Sequence, residues 1–260
     1  MALASFFDKA ALAVAQALGR FDSVALEERL VNSVPALVLG PGSTSAEGLV
    51  ATDLLVNLLA RLYPHIVIRA VGGELVNRVE ALHLEARGIN PRIEISDSLQ
   101  QGGMILAVGT VRVHHEAPVL YVGSDGWTAK LDPTGPVSSG NTVVPFGAAT
   151  AACLAAANVF RHFFQDQLEG GEPDGPIDLS LLSLKSAQEA RGPRPLTNLD
   201  MQEWHLVGAG AIGSAALWTL RRADVRGLVN VVDHEALQSR RPFRAPWRPP
   251  GGELGAVDDA

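Results

Sequence analysis

The sequence predicts an α/β protein. It reads as a mostly parallel sheet with helices on both faces, followed by the first βαβ unit of a second domain of the same kind. Three observations carry this. Short apolar runs of strand length alternate with longer stretches of helical spacing from residue 34 to residue 168. The same strand–turn–helix–strand order begins again near Trp204. The 260 residues are 47% hydrophobic and 19% charged, which supplies a sizeable core and excludes a disordered chain.

Residues 1–30 read as an N-terminal helical segment, with a surface helix over 4–18. A signal peptide would place positive charge before its apolar run, and here Asp8 and Lys9 come after it. Residues 34–39 (VPALVL) are a buried strand, and Gly40-Pro41-Gly42 a turn. Leu49, Leu54, Leu55, Leu58 and Leu62 give 47–62 a helical stripe. A strand at 65–68, a helix at 75–86 and strands at 92–95, 104–108, 119–122 and 128–131 follow. The Ala-rich stretch 146–168 is a long buried helix, since alanine is too weakly apolar to carry a membrane span. Residues 31–168 thus form one domain.

Residues 169–200 are a linker by their Gly and Pro content, with a short strand or amphipathic piece at 177–184. Residues 201–238 start the second domain: strand 205–207, glycine turn 208–213, helix 212–222 and strand 228–232. Residues 239–260 are an irregular tail rich in Arg and Pro.

The net charge of −7 argues against nucleic acid or an anionic membrane as partner. One cysteine, Cys153, excludes a disulfide framework and fits a reducing, cytoplasmic setting. Its alanine-rich surroundings mark it as core filler. His114 and His115 are adjacent, so they point to opposite faces of a strand, and no metal ligand set emerges.

Gly208-Ala209-Gly210-Ala211-Ile212-Gly213 is a full G-x-G-x-x-G with a strand before it and a helix after. Gly208 permits the tight turn, Gly210 the approach of a phosphate, and Gly213 close packing of helix on strand. Asp233, at the tip of the next strand, suits the hydroxyls of a ribose. Both halves are therefore expected to be Rossmann-like. The first is a degenerate copy: no acid ends the strand after Gly40-Pro41-Gly42, and Pro41 lacks an N–H. The motif alone leaves NAD, FAD, S-adenosylmethionine and ATP open.

The segment from His205 to Leu220, with Val231-Val-Asp-His-Glu235, resembles the E1-like ThiF/MoeB adenylation family. Two stretches of the first half, 121–127 and 145–160, look like parts of two-part bacterial ThiF-like proteins. The resemblance implies an ATP- and Mg2+-dependent adenylyltransferase. Its substrate would be the C-terminal glycine of a ubiquitin-like or sulfur-carrier protein, with a second copy of the chain as a further candidate partner. It assigns Gly208, Gly210, Ala211, Ile212, Gly213, Asp233 and Glu235 to the nucleotide and Arg244, as a catalytic residue, to its phosphates. The pattern then breaks. Ser239-Arg-Arg-Pro-Phe-Arg244 lacks the family's Asn and Leu, and no lysine, metal-binding aspartate or C-x-x-C follows. A frameshift or truncation near Gln238 is the expectation drawn from this. Two further readings use the same residues: a nicotinamide- or flavin-dependent oxidoreductase, and a non-catalytic pseudo-E1 that binds a partner.

Overall fold

Runs such as Ala36-Leu-Val-Leu39 are buried at every position, as strands inside a parallel sheet must be. A computed structural model describes residues 23–168, 170–186, 199–208, 210–223 and 225–233. Its elements are α1 (Ser23–Asn32), β1 (Ala36–Leu39), α2 (Ala46–Leu62), β2 (His65–Ala70), α3 (Val76–Ile89), β3 (Glu94–Ser96), β4 (Ile105–Val108), β5 (Val119–Asp125) and β6 (Thr128–Asp132). Then come α4 (Phe146–Phe164), β7 (Ile177–Ser180), β8 (Lys185–Ser186), β9 (Leu199–Val207), α5 (Ala211–Leu220) and β10 (Val225–Val232).

The first eight strands form one sheet in the order β3-β2-β1-β4-β5-β6-β7-β8. The pairings from β3 to β5 are parallel, with Leu37 beside Ile68 on one side and Leu106 on the other. From β5 to β8 they are antiparallel, beginning with the tight β5–β6 hairpin. Strands β9 and β10 make a separate parallel pair bridged by α5. The α/β class is thus observed, with a mostly parallel eight-stranded sheet.

The pleat divides the core. Leu37, Leu39, Ile66, Ile68, Leu106 and Val108 face one way and pack with residues of α1 to α4. Ala36, Val38, Val67, Ile105, Ala107 and Tyr121 face the other way and meet only strand and loop residues such as Val111, Ala117 and Val137. The expected helices on both faces are therefore not found among the described residues. The connections after β3 and β4 carry turns and loops, where a second helical layer would need helices.

α2 begins at an N-cap, Ser45, whose side chain accepts from the Gly48 N–H, and ends as Tyr63 turns extended. α4 ends at Phe164, short of residue 168, because the Gln167 and Leu168 N–H groups both turn back to its carbonyl. Strand β7 lies in the stretch read as linker and pairs with β6, so the sheet continues past residue 168. The helix expected over 4–18 and the 239–260 tail lie outside the described residues. No described helix is long and apolar enough to cross a membrane.

Candidate functional site

Ligands of open parallel sheets bind beyond the carboxyl ends of the strands, where the order reverses. Here that point lies between β1 and β4. It is closed by the chain itself. The turn after β1 and the turn after β4 are in contact: the Thr110 N–H donates to the Pro41 carbonyl at 2.8 Å, and the Gly40 N–H to the Val108 carbonyl at 2.9 Å. Val111 lies against Gly40, leaving no room for a side chain there. Gly109, at φ +92°, lies against the Pro41 carbonyl, so a Cβ is excluded by conformation and by space.

Below this closed point sits a buried carboxylate that the sequence reading did not single out. Glu47, 0% exposed, is in the first turn of α2. Its Oε2 accepts from Ser124 Oγ at 2.6 Å and the Gly126 N–H at 2.9 Å. Its Oε1 accepts from Thr142 Oγ1 at 2.8 Å and the Thr142 N–H at 3.1 Å. Four donors on one carboxylate join α2, the β5–β6 hairpin and the 139–142 loop. The signal was present but misleading. Thr44-Ser-Ala-Glu47 has capping-box spacing, which assigns such a glutamate to its own helix end, whereas the cap is Ser45 and Glu47 turns inward.

The glycine turn forms as its spacing requires. Gly208 sits at φ +89°, its N–H donating to the Val232 carbonyl at 2.7 Å, which brings the ends of β9 and β10 together. Gly210 caps α5, Ala211 is the first residue of that helix, and Gly213 lies against the Gly208 carbonyl. Ile212 projects outward at 88% exposure. Asp233 follows β10 half-buried and already engaged by a neighbour. Glu235 and Arg244 lie outside the described residues.

Cys153 lies exposed on α4, yet burial of its sulfur pushes the thiol up from its ordinary range. Such a shift disfavours the thiolate. His115 Nδ1 accepts from the Ala117 N–H at 3.0 Å, a loop-ordering bond. Among the described residues no group of three His, Cys, Asp or Glu side chains could hold a metal ion. An open cleft of about 560 Å³ lies beyond β2 and β3, lined in part by Val76, Glu80, His83 and Asp97.

The comparisons bear on both halves. A family described as prokaryotic E2 family C matches residues 41–165, from the turn after β1 to just past α4. An uncharacterized protein of Sinorhizobium fredii, y4jF, is 43% identical over 241 residues, covering 92% of this chain and 46% of that protein. The chain thus spans about half the length of this relative. These findings overturn the E1-like ThiF/MoeB assignment and the adenylyltransferase activity inferred from it, and nothing in them supports ATP binding. The two first-half stretches that looked ThiF-like, 121–127 and 145–160, fall inside the E2-type match. The physical reason for the error is that a glycine turn specifies close backbone approach, which many unrelated activities use. Residues 41–165 are thus similar to a prokaryotic E2-type family.

Proposed function

We propose that the chain is an E2-related domain that engages a ubiquitin-like protein by non-covalent contact, without a thioester on its own cysteine. The observation that carries this is the E2-type match over 41–165 around a sole cysteine whose thiol is pushed up. E2-type transfer needs a thiolate to accept the carried carboxyl group, and desolvation at Cys153 opposes that state.

The closed switch point supports the same reading. We infer that 31–168 is a Rossmann-like sheet without its ligand. The order β3-β2-β1-β4-β5 is that of doubly wound nucleotide folds, while Val111, Pro41 and Gly109 occupy the ligand's approach. A sheet so closed offers surfaces for a protein partner, in a cytoplasmic setting. The exposed position of Cys153 within the matched span favours a second reading, a thioester-carrying E2.

One experiment separates the two. Tagged full chain and its Cys153→Ala variant are expressed in Sinorhizobium fredii and purified on non-reducing gels. The proposal expects a ubiquitin-sized protein captured equally by both. An adduct released by dithiothreitol and lost in Cys153→Ala would establish the thioester reading instead.

A further inference from the structure

The sheet edge at β2 is only partly covered. β3 pairs with β2 from His65 to Val67, opposite which it ends at Ser96, while β2 runs on through Ala70. The Val67 and Val71 N–H groups donate to the Pro35 and Leu39 carbonyls at 2.9 and 2.8 Å, so the odd-numbered residues face β1. The even-numbered ones face β3: the Glu94 N–H donates to the Pro64 carbonyl at 2.9 Å. The Ile68 carbonyl and the Ala70 N–H and carbonyl therefore point outward past the end of β3. Among the described residues no backbone group pairs with them.

These groups open on the cleft beyond β2 and β3. One wall of that cleft is a face of α3, where Val76, Val79, Glu80 and His83 recur at the spacing of a helical stripe. Val76 is 52% exposed. His83 Nε2 is shielded from solvent yet has no hydrogen-bond partner among the described residues. Glu80 and Asp97 both line the cleft exposed, and no described cation pairs with either. The Arg69 side chain does not offset them, since it shares with Val67 the sheet face away from the helices.

We propose that this cleft takes an extended peptide as a short parallel strand beside Ile68–Ala70, with a lysine or arginine of the peptide directed at α3. One peptide residue donates its N–H to the Ile68 carbonyl and accepts from the Ala70 N–H, and the residue two further on donates to the Ala70 carbonyl. Parallel pairing continues the line of β3 and uses the free acceptor and donor on either side of Arg69. The peptide residue between these two points at α3. Its aliphatic stem lies along Val76 and Val79, and its cationic head meets Glu80 and Asp97. An edge recessed between α3 and the bend at Asp97 admits a single chain and excludes the flat edge of another sheet. The inference goes beyond the ubiquitin-like partner proposed above and does not depend on it.

The test uses the isotope-labelled full chain and the peptide acetyl-Thr-Val-Lys-Val-Thr-amide. The Ala70 amide resonance should shift on titration, and its exchange with solvent should slow when the peptide is bound. N-methylation of both valines removes the donors to Ile68 and Ala70 and should abolish binding. N-methylation of the lysine, whose N–H points away from β2, should leave binding unchanged. Glu80→Gln combined with Asp97→Asn should weaken the lysine peptide about fivefold and leave its norleucine analogue unaffected. An Ala70 amide already protected in the free chain overturns the proposal, because another segment or a second copy then holds the edge. So does a valine-methylated peptide that still binds, or equal affinity of wild type and the double variant for the lysine peptide.

Discussion

Replacing Glu47 by alanine removes one acceptor group and strands four donors. Two are backbone N–H groups, of Gly126 and Thr142, and two are hydroxyls, of Ser124 and Thr142. Hydroxyls can turn to other acceptors, but the N–H groups cannot, and each buried unpaired donor costs about 1–3 kcal/mol. Adding the cavity left by the side chain gives a loss of about 3–5 kcal/mol, a large share of a typical 5–15 kcal/mol stability. Glu47→Gln keeps one oxygen in place. Its amide meets one pair of donors head-on, yet the hydroxyl of that pair can rotate to accept, so the cost is about 1–2 kcal/mol. Urea unfolding at constant pH reads both values from midpoints, provided the slopes agree. A Glu47→Ala loss under about 1 kcal/mol, or equal losses for both variants, refutes the clasp as the link between α2 and the hairpin.

Gly109→Ala places a Cβ at φ +92° against the Pro41 carbonyl, and should cost about 2–4 kcal/mol in the same assay. Cys153 should alkylate with iodoacetamide at pH 7.5 at least about threefold more slowly than a free cysteine amide, because its thiol is pushed up; an equal or faster rate contradicts the burial argument. Asp166→Asn breaks the ion pair with Arg29, but that pair is 31% and 59% exposed, so the unfolding free energy from urea titration should change by less than about 1 kcal/mol. At Asp174 burial acts upward, but hydrogen bonds from Arg161 and Asn158 outweigh it and hold the carboxyl below 3.8. A depressed acid stabilises above its unfolded value and loses that contribution as pH falls. Wild type should therefore lose more stability between pH 5 and pH 2 than Asp174→Asn, measured by thermal unfolding.

Much of the sheet was legible because its strands are short apolar runs that admit one reading. The stretch 34–39 became Ala36–Leu39, and 47–62 became Ala46–Leu62. Which face a helix covers was not legible, since that depends on the length and path of the loops after β3 and β4. α1 was only implied within 1–30, because just two of its residues, Leu26 and Leu30, reach the core. The glycine turn at Gly208 was visible for the opposite reason: three fixed glycines make a short, sharp pattern. The E2-type similarity spreads over 41–165 with no comparable motif, so the visible signal outweighed the diffuse one. Glu47 stayed hidden because burial of a charge is set by tertiary contacts and leaves no periodic trace.

The strand order also governs how the chain can be made. β1 lies at the centre of the parallel part of the sheet, yet its second neighbour, β4, is synthesised about 70 residues later. Until then one edge of an entirely apolar strand has nothing to pair with, while the β5–β6 hairpin closes within a few residues. The β1–β4 seam, where Gly40 and Val111 meet, therefore closes only once β4 has been made. During synthesis the open edge of β1 is the place where a stray strand from another chain would attach.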